Sequence, residues 1–239
     1  GADNPWLQEM PDPITKITWD NYVTMNPSEM KEKGYETDFG QEHSMNVVTV
    51  AANGGGSIQL PVIAQPGQAK GTIGVAVGYG KKVGNQEEIT GANAYLLIDR
   101  KKSNVSYYGS VTLTDVELDE PYHIACTQTQ QTVMGRSSVI RETTLDTYKQ
   151  GDKEAYNPTW TLLSGETDDH GHQVAKPLKE FYLWGDQPVK NIGHRWGMSI
   201  DMNSCTGCSA CVTSCVSENN IAVIGKDQVR RGRIMHWMR

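Results

Sequence analysis

Apolar and polar residues alternate with a period of two in the middle of the chain, which predicts short β-strands. Residues 45–52 and 57–64 both alternate, and Asn53-Gly54-Gly55-Gly56 separates them, so we predict an antiparallel hairpin. The further strand candidates are residues 71–79, 94–98, 105–108 and 111–118. Short strands this closely spaced, with turns between them, predict a small barrel or sandwich.

Helical patterns are short and scattered. Asn26 and Pro27 precede a polar run that stops at Gly34, which predicts a helix that begins at residue 27 or 28. Two further short helices are predicted at residues 141–149 and 212–218. Prolines and glycines interrupt every period across residues 150–195, so we predict connecting chain there.

Composition excludes several classes of protein. The chain has 239 residues, 37% of them hydrophobic, which is enough for a core without disulfides. No apolar run approaches the ~18–20 residues that a bilayer requires, so we predict no membrane span. The net charge is −6, and residues 204–239, with five basic and two acidic residues, carry +3 of it. The rest of the chain is therefore at −9, which argues against nucleic acid as a partner.

Four of the five cysteines fall within eleven residues, in the pattern C-x2-C-x2-C-x3-C. Such crowding disfavours a disulfide framework, whereas thiolates three residues apart can surround one iron–sulfur cubane. We therefore predict that Cys205, Cys208, Cys211 and Cys215 ligate the iron of clusters, with Gly207 in a left-handed bend. The predicted helix carries Cys215 away from the other three, so we expect it to reach a neighbouring cluster.

Other interpretations of these and nearby residues are less favoured. Structural zinc usually takes two separated cysteine pairs, so it fits this spacing poorly. Cys126 is expected to be a buried small hydrophobe, with a reactive thiol or an additional ligand as the alternative. Residues 168–172 contain ligand-type side chains, but their pattern favours a solvated turn over a metal site. The glycine-rich residues 71–82 lack Walker spacing and are predicted to hold no nucleotide. No residue is predicted to be catalytic.

Two parts of the chain resemble known families. The cysteine region resembles the first cluster motif in the iron–sulfur subunits of complex iron–sulfur molybdoenzymes, through residues 203–215, 218–221, 225–226, 231–233 and 235–237. The earlier part resembles the dinucleotide-binding domain of the molybdopterin oxidoreductase chain, through residues 18–22, 60–62, 65–67, 71–74, 78–80, 136 and 141–145. Both parts on one chain, in this order, resemble the fused B subunit of alternative complex III, a bacterial quinol-oxidising respiratory complex.

This resemblance implies a fold and a domain order. The fold is expected to be mainly β with some α. A double-psi β-barrel, of the molybdopterin dinucleotide-binding type, is expected in residues 1–150. A linker at 151–195 and the first part of a ferredoxin-like 4Fe–4S domain at 196–239 are expected to follow it. Since one four-cysteine motif is half of a two-cluster ferredoxin, we expect a longer chain with further cysteines beyond residue 239.

The resemblance also implies a function. It predicts a non-catalytic electron-transfer subunit that passes electrons through 4Fe–4S clusters, one of them alternatively 3Fe–4S, from quinol to cytochrome c or a terminal oxidase. The implied partners are a multihaem cytochrome c and integral membrane quinol-binding subunits, at the periplasmic face of the bacterial inner membrane, with no molybdenum. The alternatives are a fused molybdopterin-dependent reductase subunit in which residues 71–82 contact a pterin dinucleotide, and a zinc-stapled binding module without enzymatic activity.

Overall fold

The described part of the chain forms two compact units. The computed structural model describes residues 2–38, 40, 43–53, 55–83, 89–99, 105–129, 132–136, 140–183, 193–194 and 196–238. The first unit combines residues 1–129 with 206–239, and the second consists of residues 130–205. This grouping differs from the division predicted at 150 and 195, and residue 195 itself lies outside the described residues.

The elements are short. The strands are β1 (Ile17–Thr18), β2 (Val23–Met25), β3 (Val47–Ala52), β4 (Ser57–Ala64), β5 (Gly74–Val75), β6 (Lys81–Lys82), β7 (Ile89–Thr90), β8 (Val111–Val116), β9 (Ala125–Cys126), β10 (Thr161–Thr167) and β11 (Gln173–Pro177). The helices are α1 (Pro5–Glu9), α2 (Pro27–Lys33), α3 (Leu145–Gln150), α4 (Lys153–Tyr156), α5 (Ala210–Glu218) and α6 (Lys226–Arg230). Two 3₁₀ helices, Ala94–Leu97 and Leu178–Phe181, complete the set for the described residues.

A mixed sheet with the strand order β5-β2-β4-β3-β8 is the centre of the first unit. Strands β3 and β4 are antiparallel, with Val47 opposite Pro61 and Ala51 opposite Ser57, so the predicted hairpin is confirmed. Strand β2 runs parallel to β4 and antiparallel to β5. The double-psi barrel stays a prediction for this part of the chain.

The core of this sheet consists of the apolar side chains that alternate along its strands. Its fully buried members include Val23, Met25, Val48, Val50 and Val62. A second cluster forms where β1 pairs with β9, and it includes Ile17, Tyr22, Ile63, Ile124 and Cys126. The core takes alternate residues from both strands, Val48 and Val50 from β3 and Ile58, Leu60 and Val62 from β4, so burial fixes the register of the hairpin.

Helix α2 has the ends that its sequence predicts. The Asn26 side chain accepts hydrogen bonds from the backbone N–H groups of Ser28 (2.9 Å) and Glu29 (3.4 Å), and Pro27 occupies the first turn. Gly34 ends the helix with a φ of 72°, a left-handed conformation that costs glycine little. The predicted helix is confirmed at both ends.

The strand prediction for residues 94–98 is wrong, because Ala94–Leu97 is a 3₁₀ helix. The Asn93 side chain accepts the backbone N–H of Tyr95 at 3.1 Å and so caps this helix. A continuous apolar run has no alternation to separate strand from helix, so the local cap decides its conformation. The strand predicted at 105–108 is reduced to a single bridge at Ser106.

The second unit contains a hairpin where we predicted connecting chain. Strands β10 and β11 are antiparallel, with a register shift between Leu163 and Thr167. Six of the seven residues of β10 are exposed, so the strand has no buried face and lacks the apolar alternation that would have indicated it. The linker predicted at 151–195 therefore carries regular structure in its described residues, while 184–192 lie outside them.

No helix in the described ranges is long and apolar enough to cross a membrane.

The hairpin core gives a direct stability test. We expect Val50→Ala to lower the free energy of unfolding by about 2 kcal/mol, because it removes buried methyl groups and leaves a cavity. Val105→Ala, at a position that is 55% exposed, should change it by less than about 0.5 kcal/mol. Urea denaturation of both variants measures this difference. Equal losses would contradict the assignment of Val50 to the core.

Candidate functional site

The four motif cysteines lie in the loop before helix α5 and in that helix. Cys205 ends the second unit, whereas Cys208, Cys211 and Cys215 belong to the first. Helix α5 begins at Ala210, two residues earlier than predicted, so it contains both Cys211 and Cys215. Residues four apart lie one above the other on the same face of a helix, and these two thiols therefore share a face of α5.

A turn held by hydrogen bonds precedes Cys205. The Asp201 carboxylate accepts the Ser204 hydroxyl at 2.8 Å and the backbone N–H of Asn203 at 3.0 Å. These hydrogen bonds, the one from Ser204 above all, lower the pKa of Asp201. The Asp201 carbonyl also accepts the N–H of Cys205 at 2.9 Å. These hydrogen bonds hold the backbone that enters the motif.

Two left-handed residues shape the loop between Cys205 and α5. Gly207 has a φ of 67°, so the predicted left-handed bend is confirmed. Ser209 has a φ of 59°, and its carbonyl accepts the N–H of Thr213 at 3.0 Å as α5 begins. The chain therefore turns sharply on both sides of Cys208, so its direction changes between one cysteine and the next.

The donor set matches the chemistry of an iron–sulfur cluster. All four motif cysteines are free thiols; three of them are exposed and Cys215 is half-buried. Such clusters are held by cysteine thiolates, and four of them at this spacing supply a suitable set. Within the residues described, no three or more side chains of His, Cys, Asp or Glu converge on one point. The identity and spacing of the donors therefore carry the assignment, and the ligand set stays a prediction.

The Asn219 side chain adds a contact that sequence reasoning missed. Its amide Nδ2 lies 3.0 Å from the Cys215 carbonyl oxygen and 3.6 Å from the Cys215 Sγ. An N–H donor to a ligating sulfur is one of the means by which proteins tune cluster potentials. An asparagine four residues after a cysteine, at the end of a predicted helix, is the signal that could have found it.

A second face of α5, next to the one that carries Cys211 and Cys215, is apolar. Val212 and Val216 are buried and border a small cavity of about 20 Å³, together with Trp6, Met10 and Val223. The cysteine helix is therefore amphipathic, and its apolar residues pack near helix α1. Helix α1 belongs to residues 1–129, which we call the N-terminal part.

Cys126 is separate from the motif and matches the expectation of a buried small hydrophobe. It lies opposite Ile17 in the β1–β9 pair, and its Sγ lies 3.4 Å from the Thr15 carbonyl oxygen. Burial raises the pKa of this thiol to about 11. A neutral thiol in an apolar cluster is neither a good nucleophile nor a ready ligand.

The two other candidate sites have structural explanations. Asp168 accepts the backbone N–H groups of His170 and His172, so these residues form the predicted exposed turn. In the glycine-rich stretch 71–82, an added Cβ at Gly80 would lie 2.5 Å from the Asn93 backbone nitrogen. Close packing therefore explains Gly80. The absence of nucleotide from this stretch stays a prediction.

A larger cavity, of about 690 Å³, lies within the first unit. Its lining includes Asp20, Gln59, Leu60, Tyr122 and Lys226. No residue of the stretch 71–82 is among the described residues that line it. A mixed polar and apolar cavity of this size is typical of small-molecule sites.

Comparisons with known proteins give a similarity over a short segment of the chain. No family model matches the chain. A segment of 49 residues, 20% of this chain, is 61% identical to the menaquinone reductase iron–sulfur cluster-binding subunit of Nitratidesulfovibrio vulgaris. Over this segment the chain is similar to an iron–sulfur protein. The matched segment covers 19% of that relative, so the chain spans about a fifth of its length.

The Asn219 contact predicts an effect on redox potential. We expect Asn219→Ala to lower the midpoint potential of the cluster that Cys215 is predicted to ligate, because an N–H donor stabilises the more negative, reduced state. Potentiometric titration followed by EPR measures this shift. Ser217→Ala, which removes only a hydroxyl bonded to the Ser214 carbonyl, is the matched control. Equal potentials in both variants would show that the contact has no influence.

The raised pKa of Cys126 predicts slow alkylation. At pH 8 a thiol with a pKa of about 11 is ionised in about one molecule in a thousand, and Cys126 is also buried. In metal-free folded protein, iodoacetamide should therefore label the exposed Cys205, Cys208 and Cys211 before Cys126. Peptide mass spectrometry over a time course reads out the order. Labelling of Cys126 at the same rate as these three would contradict its burial.

Proposed function

We propose that this chain is an electron-transfer subunit of a membrane-associated quinone oxidoreductase, in which its cysteine motif binds iron–sulfur clusters. The observation that carries this proposal is the 61% identity, over 49 residues, to an iron–sulfur cluster-binding subunit of a menaquinone reductase. The four free, closely spaced thiols support it, because they supply the donor set that such clusters take.

Each cysteine has a proposed part. Cys205, Cys208 and Cys211 hold one four-iron cluster, and Cys215 ligates a neighbouring cluster. A bound cluster supplies one-electron transfer. The protein's own contribution is to hold the sulfurs, to donate N–H groups to them, and to keep water from the apolar side of α5. No general acid, general base or nucleophile takes part.

The wider assembly is part of the same proposal. We propose that the N-terminal domain is a double-psi barrel that acts as a scaffold, as in the fused B subunit of alternative complex III. Electrons would pass from a quinol-binding membrane subunit to a multihaem cytochrome c, at the periplasmic face of the inner membrane. The similarity to a menaquinone reductase subunit supports a quinone-linked complex.

One observation favours a second candidate function. The cavity of about 690 Å³ in the first unit has the size and the mixed lining of a cofactor site. It therefore suits the alternative of a fused molybdopterin-dependent reductase subunit that binds a pterin dinucleotide, with the dinucleotide in this cavity and not at residues 71–82, where that alternative first placed it. Release of such a dinucleotide when the native complex is denatured would favour this candidate over an empty scaffold.

Two cysteine substitutions in the native complex test the proposed function. Cys208→Ser should abolish or alter the EPR signal of one cluster and leave the other, whereas Cys215→Ser should do the reverse. Cys126→Ser, outside the motif, should leave both signals unchanged. If both motif variants lose one and the same signal, the four cysteines hold a single cluster. If neither variant changes any iron-dependent signal, the proposed function is wrong.

A further inference from the structure

Two buried carboxylates from the N-terminal part bind three successive residues beyond the cysteine helix. Glu9, at the end of α1, and Asp20, shortly before β2, are each only 3% exposed. They contact residues 224–226, which lie between α5 and the body of α6. We call this arrangement, Glu9 and Asp20 with residues 224–226, the carboxylate clamp.

Glu9 binds the backbone. One of its oxygens accepts the N–H of Ile224 at 2.9 Å and that of Gly225 at 2.8 Å, and its other oxygen lies 3.1 Å from the Ile224 nitrogen. The indole N–H of Trp19 donates to the same carboxylate at 3.3 Å. A buried carboxylate is costly unless its oxygens are satisfied, so residues 224 and 225 have little freedom to move away.

Asp20 binds the side chain of the next residue. The Lys226 ammonium lies 2.6 Å from one Asp20 oxygen, and the Tyr122 hydroxyl donates to the other at 3.0 Å. Burial raises the pKa of Asp20, while Lys226 and Tyr122 act in the opposite direction. The ammonium also lies 4.6 Å from the centre of the Tyr122 ring, a cation–π contact.

Apolar contacts also join the segment after the cysteines to the N-terminal part. Val229 and Met235 are buried in one cluster with Trp19, Val83 and Ala125 of the N-terminal part. All three hydrophobic partners from residues 1–129 lie far from these two in sequence. The segment after the cysteines therefore takes much of its core from the N-terminal part.

The backbone beside Asp20 is strained in a way that fits a fixed site. Trp19 has a φ of 66°, an outlier for a bulky residue, and Lys16 has a φ of 62°. The Trp19 N–H donates to the Gln8 carbonyl at 2.8 Å, next to Glu9. Such strain persists only where the surrounding contacts over-determine the conformation. Here it places Trp19 against Glu9, with Asp20 as the next residue.

From these contacts we infer that Glu9 and Asp20 are positioning residues for the iron–sulfur segment. They fasten residues 224–226 to the N-terminal part, and so hold the chain that follows the cysteine helix. The consequence for clusters rests on the proposed function; the consequence for the order of the segment does not. The N-terminal part thus supports the segment that carries the predicted cluster ligands, through Glu9 and Asp20.

Hydrogen exchange of the full-length protein, with and without metal, tests the clamp. Glu9→Gln and Lys226→Met should speed amide exchange in peptides that cover residues 221–230 by about tenfold or more. Peptides from the β3–β4 hairpin should be unchanged in both variants. Lys226→Arg keeps the ion pair and should retain protection. The matched controls are Glu120→Gln and Lys31→Met, both at exposed positions.

A spectroscopic readout separates an effect on the position of the segment from a general loss of stability. In the metal-loaded protein, Glu9→Gln and Lys226→Met should change the EPR line shape of the clusters, whereas Lys226→Arg and the two controls should not.

Wild-type exchange rates in both Glu9→Gln and Lys226→Met would overturn the inference. Loss of protection in Lys226→Arg equal to that in Lys226→Met would remove Asp20 from the clamp. Should Glu9→Gln fail to fold, the Lys226 pair alone decides. Zinc in place of iron, with the exchange result intact, would overturn only the proposed function.

Discussion

The first unit depends on the satisfaction of two buried carboxylates. Glu9 and Asp20 would destabilise the fold if their partners left, since an unpaired buried charge costs far more than an exposed one. Their partners are backbone N–H groups and an ammonium from residues 224–226, roughly two hundred positions later in the chain. The N-terminal part and the segment that bears three motif cysteines therefore form one compact unit.

This arrangement assigns different tasks to the two sides of the cysteine segment. The exposed side presents the thiols of Cys205 and Cys208 on the loop and the thiol of Cys211 on α5. The inner side is apolar or clamped, and it gives the loop a fixed support. Charged residues take part in this contact as well, because Lys226 forms an ion pair with the buried Asp20. A second ion pair, between Arg231 and Asp227, lies within the basic tail itself.

Local signals were enough to predict part of the fold. The β3–β4 hairpin and α2 were predicted because alternation, a glycine-rich turn and an asparagine cap all lie within a few residues of the element they define. The 3₁₀ helix at Ala94–Leu97 was missed because a continuous apolar run does not separate strand from helix. The β10–β11 hairpin was missed because β10 is almost wholly exposed and has no apolar alternation. The ligand candidates followed from cysteine spacing alone, whereas the carboxylate clamp joins residues too far apart in sequence for a local pattern to indicate it. Nothing near Glu9 in sequence distinguishes it from a solvated carboxylate.

The central claim is that the cysteine motif binds iron and sulfide. Elemental analysis of the natively purified protein, combined with an assay for acid-labile sulfide, tests it most directly. The account predicts iron and sulfide in near-equal amounts, at about four or more of each per chain, with little zinc. Zinc at about one per chain, without sulfide, would contradict the account and identify the motif as a structural metal site.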